Sequence, residues 1–359
     1  MKMTVVGGGN VGTQFAAHGA ANGHDVTVYT AKAEAFSDTL EVTDREGNLR
    51  VRGRIRSATG DPARAFSGAE AVFVTTPAFL AEKTAREILP RLESGTKLFF
   101  VPGTGGMECV FRKATEKGCT LYGLQRVPSV ARVAETGKRV CAEGYRSRMF
   151  VAALPHADVK EGCEIVGGLF GIPCDPLPNY LNVTMVPSNP ILHTTRLYSL
   201  FGGDSPDKID PYMPLFYEEW DDAASEILFR CDDELQRVCR ALTDFDLSYV
   251  RSLKEHYESD TPRALTEKIR SIRGFRGLTT PAVACNGGFR PDFSSRYFVS
   301  DFAYGLTILC DIAELAGVPS PNMHEVLDWY IRRAGTDQRF RFSDYGISDY
   351  ASFYKFYSA

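Results

Sequence analysis

Short apolar runs alternate with helix-length stretches through the first half of the chain. The runs are Met3–Val6, Val26–Tyr29, Ala71–Thr75, Lys97–Val101 and Thr120–Leu124. Strands buried on both faces of a sheet have this apolar character, and the stretches between them suit crossover helices, the last over His156–Phe170. The pattern predicts an α/β fold with a doubly wound parallel sheet.

One polar segment of this half, residues 40–58, has strand-like composition without a long apolar run. At its centre stands Arg45-Glu46-Gly47-Asn48, which contains two strong turn formers. The segment therefore predicts a β-hairpin.

A glycine cluster directly follows the first apolar run. Gly7, Gly9 and Gly12 have G-x-G-x-x-G spacing, with Asn10 and Val11 between the last two. A helical pattern and a second strand follow, which is the context that this motif requires. The first glycine suits a tight turn, the second lets the backbone approach a pyrophosphate, and the third lets the helix pack on the strand. With the free N–H groups of the helix N-terminus, these five residues predict a dinucleotide site.

The residues after the second strand bear on the choice of cofactor. Sites that prefer NAD usually carry Asp or Glu there, which accepts a hydrogen bond from the ribose 2′-hydroxyl. This chain has Thr30 and Lys32, and its first carboxylate is Glu34. A hydroxyl and a cation suit a 2′-phosphate, although Thr30 could also serve a 2′-hydroxyl. We therefore favour NADP(H) over NAD(H).

The carboxyl ends of other strands supply further candidate cofactor contacts, because ligands of such sheets bind at that edge. The loops after the third and fourth predicted strands contain Thr75, Thr76, Pro77, Gly103 and Thr104. We expect these residues beside the glycine cluster.

The pattern changes after residue 151. Two proline-rich segments, 172–178 and 186–190, precede a half in which apolar residues recur at helical spacing. We therefore predict a dinucleotide-binding Rossmann domain over residues 1–183 and an all-α domain over residues 184–359.

Three helices are predicted in the second domain. Pro190 opens the first, Ile191–Phe201, because proline suits the first helical position. The second spans Leu215–Leu242. The third, Arg296–Ala316, is apolar and nearly free of charge inside, which predicts burial.

Composition and charge exclude several classes of protein. The chain has 359 residues, of which 44% are hydrophobic and 24% charged, and a formal net charge of −4, which favours a globular protein and argues against nucleic-acid binding. No apolar run approaches the roughly 18 residues of a membrane span, and we expect no secretory signal. The nine cysteines lack zinc-site spacing. We expect reduced thiols, no metal site and a cytoplasmic protein, and the sequence leaves a homodimer open.

Three residues of the second half are candidates for catalysis. His193 falls in the first turn of a predicted helix, where the helix dipole favours a neutral imidazole that can accept a proton. Asp301 interrupts an apolar helix, and a buried carboxylate requires a partner such as histidine. Arg296 could bind a substrate carboxylate through two hydrogen bonds. The structural alternatives are helix caps for the first two residues and an ion pair for the third.

These motifs resemble the octopine/nopaline (opine) dehydrogenase family along nearly the whole chain. The matching segments are Gly7–Gly12, Asn189-Pro190-x-x-His193, Phe216-Tyr217-Glu218, Arg296–Asp301 and Tyr304-Gly305-Leu306. The resemblance implies a Rossmann domain, a helical second domain and a catalytic His193 oriented by Asp301. It also implies that Arg296 holds the carboxylate of a 2-oxo acid.

The chain departs from the family pattern in two places. Glu219-Trp220 stands where the family often has glycine, and Gln125–Ser129 lacks the typical Pro-Tyr. Both segments could line the amino-acid pocket, so the amine substrate stays open.

The resemblance implies that an amino acid's amine condenses with a 2-oxo acid such as pyruvate, and that the imine is then reduced with a hydride from the nicotinamide. The first alternative is a ketopantoate-reductase-like or hydroxy-acid dehydrogenase, which would use Lys254 or Lys268. The second alternative is a non-catalytic NADP(H)-sensing protein, which would need no proton-transfer residues.

Overall fold

The computed structural model describes residues 1–203 and 209–358. The chain divides into two compact units. The first comprises Met1–Thr184 and the chain end from Tyr357, and the second comprises Met185–Phe356. Within the described ranges, no helix has both the length and the apolar character needed to cross a membrane.

The first unit contains a large, mainly parallel sheet. Its strands, with those of a second sheet, are β1 (Lys2–Val6), β2 (Asp25–Tyr29), β3 (Thr39–Thr43), β4 (Leu49–Arg54), β5 (Ser57–Thr59), β6 (Ala71–Val74), β7 (Lys97–Phe100), β8 (Thr120–Leu124), β9 (Val130–Glu135), β10 (Arg139–Glu143), β11 (Met149–Leu154) and β12 (Cys174–Pro176). The large sheet has the order β12-β11-β8-β7-β6-β1-β2-β5. All five predicted apolar runs form parallel strands in it, which confirms the α/β fold. Among the described strands of this sheet, the one antiparallel pairing joins β8 to β11, and β12 pairs parallel with β11.

Helices and a row of aromatic rings form the core of this unit. The helices are α1 (Asn10–Ala21), α2 (Pro62–Phe66), α3 (Ala81–Ile88), α4 (Met107–Val110), α5 (Val159–Phe170) and α6 (Leu181–Thr184). Phe15 of α1 lies 5.4 Å from Phe73, ring centre to ring centre. Phe73 stacks on Phe99 at 4.4 Å, and Phe99 stacks on Tyr122 at 4.6 Å. These buried rings hold α1, the helix after the glycine turn, on the sheet.

The predicted hairpin is confirmed. β3 and β4 pair antiparallel, and with β9 and β10 they form a second sheet in the order β4-β3-β10-β9. A Cβ on Gly53 of β4 would lie 2.3 Å from the carbonyl oxygen of Ala17 in α1. Glycine at this position therefore allows the second sheet to approach the helix backbone.

The second unit is helical, as predicted. Its helices are α7 (Ser188–Phe201), α8 (Asp222–Ala241), α9 (Leu253–Tyr257), α10 (Pro262–Ser271), α11 (Arg296–Val299), α12 (Thr307–Leu315), α13 (Pro321–Ala334) and α14 (Tyr350–Tyr357), the last of which ends beyond the unit boundary. The structure adds one feature to the predicted all-α domain. A two-stranded hairpin forms from β13 (Ala282–Cys285) and β14 (Gly288–Pro291).

The predicted start of the first helix in this unit is wrong. α7 begins at Ser188, so Pro190 is its third residue rather than its first. Proline is tolerated at that position because the N–H groups of the first turn have no partner within the helix. His193 consequently lies in the second turn, and the helix-dipole argument for it does not apply, since that effect is confined to the first turn.

The second predicted helix is shorter than expected. α8 begins at Asp222 rather than Leu215, because the Asp221 carboxylate accepts a hydrogen bond from the N–H of Ala224 at 2.8 Å and caps the helix. The residues before the cap form an irregular segment with buried aromatic side chains. These aromatic side chains are buried although they are not helical, so their apolar pattern predicted a helix that starts too early.

The third predicted helix is interrupted. Between α11 and α12, Phe302–Leu306 forms a π-helical turn, in which the N–H of Leu306 donates to the carbonyl oxygen of Asp301 at 2.7 Å. Such turns occur frequently at functional sites, and this one follows the acidic residue that the sequence singled out.

Candidate active site

The glycine turn between β1 and α1 is shaped by two close backbone approaches. Gly7 has φ of +104°, a conformation that glycine adopts easily. A Cβ on Gly12 would lie 1.8 Å from the carbonyl oxygen of Gly7. A Cβ on Gly9 would meet no atom within 4 Å. The turn is therefore closed on its protein side and open at Gly9, which fits a pyrophosphate at the N-terminus of α1.

Thr75 lies against this turn. Its hydroxyl donates to the carbonyl oxygen of Val6 at 2.9 Å. A Cβ on either Gly7 or Gly12 would come within 2.8 Å of that hydroxyl oxygen. The structure thus places Thr75 beside the glycines, as predicted, with its hydroxyl bonded to the end of β1.

Asn10 and Val11 begin α1 and contact protein. The Asn10 side-chain oxygen accepts a hydrogen bond from the N–H of Val133 in β9 at 2.7 Å. Val11 is partly buried and packs against the core. The contact that the structure provides for Asn10 fastens the start of the helix to the second sheet.

Thr30 borders the other side of the turn. A Cβ on Gly8 would lie 3.1 Å from the Thr30 hydroxyl, which accepts a hydrogen bond from the N–H of Lys32 at 3.3 Å. The same Cβ would lie 2.6 Å from the ring of Phe36. The Lys32 side chain is exposed and forms no ion pair with the described residues. A hydroxyl beside the turn and a free cation are therefore available to a ligand.

The remaining predicted cofactor residues differ in their surroundings. The hydroxyls of Thr76 and Thr84 lie 3.4 Å apart, and Pro77 precedes a short helical turn. A Cβ on Gly103 would lie 2.5 Å from the Cα of Gly123. Gly103 is thus required for packing between neighbouring strand ends. Thr104, the next residue, is half-buried.

In the second unit, His193 and Asp301 are hydrogen-bonded to each other. His193 Nδ1 lies 2.7 Å from Asp301 Oδ2, and the side chains are only 12% and 18% exposed. The helix α7 and the π-helical turn approach closely at Gly305, where a Cβ would lie 3.1 Å from Pro190 Cγ. Gly305 and Pro190, which belong to two of the family-like motifs, therefore help to bring the imidazole and the carboxylate together.

The other ring nitrogen of His193 has a partner that the sequence analysis missed. Tyr217 Oη lies 2.7 Å from His193 Nε2. Burial raises the pKa of Tyr217 well above its ordinary value, so this hydroxyl stays protonated. Tyr217 belongs to the Phe-Tyr-Glu segment that carries the family resemblance, and that segment was the available signal.

Arg196 fixes the segment that carries Tyr217. This side chain is fully buried and lies on α7, three residues after His193. Its guanidinium donates to the carbonyl oxygens of Phe216 at 3.2 Å and Glu219 at 2.6 Å, and to Asp221 Oδ2 at 2.7 Å. Burial lowers the pKa of Arg196, and Asp221 opposes that shift. One helix therefore carries the imidazole and also positions its tyrosine partner.

Arg296 is the first residue of α11 and is exposed. It forms no hydrogen bond or ion pair through its side chain with the residues that the structure describes, so its guanidinium is free for a ligand. The ring of the next residue, Tyr297, lies 4.6 Å from that of His193. Of the predicted catalytic residues, Asp301 thus contacts the imidazole directly, and Arg296 is adjacent in sequence to a ring that contacts it.

The lysines of the alternative enzyme class are occupied elsewhere. Lys254 Nζ lies 2.8 Å from Asp233, and Lys268 Nζ lies 3.0 Å from Glu258. Both pairs are substantially exposed, as surface ion pairs commonly are. Nor do residues 1–203 and 209–358 contain a group of three or more His, Cys, Asp or Glu side chains that could hold a metal ion.

Two family models match the chain. The model described as NAD/NADP octopine/nopaline dehydrogenase, alpha-helical domain, matches residues 176–332. The model described as ketopantoate reductase PanE/ApbA matches residues 3–152, within the first unit. Similarity to ketopantoate reductases in the family models therefore concerns the Rossmann part, and the part with His193, Tyr217 and Asp301 matches the opine enzymes.

Individual relatives match the chain along nearly its whole length. The chain is 26% identical to tauropine dehydrogenase of Arabella iricolor, over 93% of this chain and 92% of the relative. It is 28% identical to opine dehydrogenase of Haliotis discus hannai, over 94% of this chain and 91% of the relative. A solved structure of octopine dehydrogenase with NADH and L-arginine superposes with a TM-score of 0.83, at 24% identity, covering 98% of this chain and 97% of the other. The resemblance drawn from the motifs is confirmed: the chain is similar to opine dehydrogenases along nearly its whole length, and its residues 176–332 match the family model of the octopine/nopaline dehydrogenase helical domain.

Proposed function

We propose that this protein is an NAD(P)H-dependent opine dehydrogenase. It would condense the amine of an amino acid with the carbonyl of a 2-oxo acid such as pyruvate, and reduce the imine to an N-(1-carboxyalkyl) amino acid. The observation that carries the proposal is the hydrogen bond of 2.7 Å between His193 Nδ1 and Asp301 Oδ2 in the helical unit. A histidine oriented by a carboxylate can accept and return a proton near neutral pH.

Each residue of the pair has a distinct role in this proposal. His193 takes the proton that the substrate ammonium releases before the amine attacks, and returns it when water leaves the carbinolamine. Asp301 holds the hydrogen on Nδ1 and stabilises the imidazolium that forms. Arg296 binds the carboxylate of the 2-oxo acid, which fixes the face of the carbonyl that is presented for reduction.

The first unit fits a nicotinamide dinucleotide. Gly9 leaves the backbone open at the N-terminus of α1, and Gly7 and Gly12 form the close turn on the protein side. When bound, the nicotinamide supplies the hydride. The Thr30 hydroxyl and the free Lys32 cation support a preference for NADPH, because they follow β2 where NAD-preferring sites usually carry a carboxylate that would repel a 2′-phosphate.

A substrate matrix tests the proposal. NADPH and NADH oxidation is followed with pyruvate alone, with pyruvate and each of a panel of amino acids, and with each amino acid alone. The proposal expects turnover only when both substrates are present, and mass spectrometry should detect the secondary-amine product. The variant His193→Ala is the matched control for adventitious activity.

The same matrix separates the alternatives. Turnover with the oxo acid alone would favour a hydroxy-acid dehydrogenase. Tight cofactor binding without turnover of any pair would favour a sensor. Either result would overturn the opine assignment.

A further inference from the structure

Both ring nitrogens of the His193 imidazole are occupied. With Asp301 ionised, Nδ1 carries the hydrogen and donates to Asp301 Oδ2 at 2.7 Å. Nε2 then holds the lone pair and accepts the O–H of Tyr217 at 2.7 Å. A substrate therefore finds neither nitrogen free, although the proposed reaction requires the imidazole to exchange a proton with it.

Packing and hydrogen bonds hold Tyr217 in place. The residue is 4% exposed, and its ring stacks on Phe275 with centres 4.1 Å apart. Phe216 packs edge-on against it at 4.8 Å. The segment is further held by three hydrogen bonds from the buried Arg196. Displacing the hydroxyl would break this packing, so the direct route to Nε2 stays closed.

A second tyrosine leads from Tyr217 toward solvent. The ring of Tyr297 lies 4.6 Å from that of His193 and 4.9 Å from that of Phe216, the neighbour of Tyr217 in sequence, and after burial the Tyr297 side chain is the next cause that raises the pKa of Tyr217. Tyr297 is half-buried, in contrast to the almost fully buried Tyr217. It directly follows Arg296, the proposed carboxylate ligand.

We propose that Tyr217 and Tyr297 form a proton relay between His193 and the substrate. Tyr297 is the residue that touches the substrate, and Tyr217 is the fixed link to Nε2. The inference rests on the proposed opine dehydrogenase function and assigns two residues to its proton transfers. It also explains why Tyr217 is held so firmly by the helix that carries the histidine.

The relay balances in both directions. The substrate ammonium gives a proton to Tyr297 Oη as Tyr297 passes its own to Tyr217 Oη, and Tyr217 passes its own to His193 Nε2. The amine is then neutral, the imidazole is an imidazolium beside Asp301, and both tyrosines are again protonated. After the amine has added to the carbonyl, the reverse shift protonates the leaving hydroxyl. Water departs, an iminium forms, and His193 is neutral again.

The test uses Tyr217→Phe, which keeps the stacked ring and removes the hydroxyl. With saturating NADPH, pyruvate and the preferred amino acid, we expect kcat to fall by roughly 10²–10⁴-fold, the range for removing general acid–base function. The dissociation constant for NADPH and the melting temperature should stay close to wild type. Tyr198→Phe is the matched control, because it removes a hydroxyl from the exposed bond to Glu325 on the same unit and should leave kcat unchanged.

A proton inventory measures how kcat depends on the deuterium fraction of the solvent. A Tyr217 that only positioned His193 would not change this dependence when its hydroxyl is removed. In mixtures of H₂O and D₂O, a relay through several hydroxyls predicts a curved dependence of kcat on deuterium fraction in the wild type. The dependence should become linear in Tyr217→Phe. Tyr297→Phe is the second variant, should the first not fold, and it should also lose kcat.

The outcomes separate the two proposals. A wild-type protein that makes no opine from any pair would overturn the proposed function, and the relay with it. An active wild type with near-normal kcat and an unchanged inventory in Tyr217→Phe would overturn the relay alone. A loss in Tyr217→Phe with full activity in Tyr297→Phe would overturn the route through Tyr297.

Discussion

A methyl group on Gly12 would lie 1.8 Å from the carbonyl oxygen of Gly7, far inside any tolerable contact. The same addition at Gly9 would meet no protein atom within 4 Å. The two glycines of one motif therefore serve different purposes. Gly12 allows α1 to pack against the turn, whereas Gly9 leaves space outside it.

Alanine substitutions at the two positions should separate stability from binding. Gly12→Ala must push α1 from the turn, and overpacking of this kind costs about 1–3 kcal/mol or more. We expect a lower melting temperature and weak cofactor binding. Gly9→Ala should fold with a near-normal melting temperature and still bind the dinucleotide less tightly. Thermal unfolding and cofactor titration measure both, and equal loss of stability in the two variants would contradict this division.

The second prediction concerns the histidine and its carboxylate. His193→Ala should lower kcat by roughly 10²–10⁴-fold, because it removes the group that exchanges the proton. Asp301→Asn should also be severe, since the amide disturbs both the tautomer and the charge that stabilises imidazolium. Cofactor affinity should change little in either variant. Steady-state kinetics and cofactor titration check this, and near-normal turnover in His193→Ala would refute its role.

The third prediction concerns the cofactor. Thr30→Asp would place a carboxylate beside the glycine turn. There it can accept a hydrogen bond from the ribose 2′-hydroxyl of NADH and repel the 2′-phosphate of NADPH. We expect the wild type to bind NADPH more tightly than NADH, and the variant to shift toward NADH. Titration of both cofactors against both proteins measures the change. A wild type that prefers NADH would disprove the assignment.

The sequence predicted much of the first unit because its signals are local. Apolar runs such as Ala71–Thr75 form strands wherever neighbours cover both faces, and the Gly7–Gly12 spacing specifies a turn whatever lies beyond it. The ends of the helices were harder to predict from the sequence. The buried aromatic side chains before Asp221 recur at a spacing typical of a helix, but the cap at Asp221 starts α8 only after them.

The candidate site was only partly predictable, because it depends on contacts between distant segments. Asp301 was noticeable as a charge within an apolar stretch, and a histidine was its natural partner. Tyr217 had only the weaker signal of the Phe216-Tyr217-Glu218 motif, since a buried aromatic residue is expected in any core. Its role depends on the 2.7 Å contact with His193, 24 residues away, and on the Arg196 anchor. The π-helical turn was likewise invisible, because the apolar pattern continues through it.

The fourth prediction concerns stability and pH. Burial raises the pKa of Asp232 to about 7, and its Oδ2 accepts the N–H of Leu253 at 2.7 Å. The folded state therefore binds this proton more tightly than the unfolded state does. The resulting stabilisation is full at low pH and is lost as pH rises from about 4 to about 7. The loss could reach about 4 kcal/mol, at 1.36 kcal/mol per unit of pKa.

Asp232→Asn removes this ionisation. Relative to wild type, the variant should gain in free energy of unfolding as pH rises from about 4 to about 7, since only the wild type must ionise a buried carboxyl. Asp233→Asn is the matched control, because that neighbour is 51% exposed and pairs with Lys254 at the surface. Denaturant unfolding at several pH values gives the comparison. A constant difference between Asp232→Asn and wild type would contradict the argument.

The last prediction concerns Arg296. If its free guanidinium binds the carboxylate of the 2-oxo acid, Arg296→Ala should act mainly on that substrate. Charge-assisted hydrogen bonds are worth ~1.5–3 kcal/mol each, so the KM for pyruvate should rise by roughly ten- to a hundredfold, while the KM for the amino acid changes less. Arg296→Lys should recover only part, because a point charge cannot replace a two-pronged contact. The melting temperature should hardly change, since the side chain is exposed and has no ion-pair partner among the described residues. Arg290→Ala, at another exposed arginine of the same unit, is the control and should leave both KM values unchanged. If Arg296→Ala instead raises both KM values equally and lowers the melting temperature, the arginine supports the fold, and the carboxylate must be bound elsewhere.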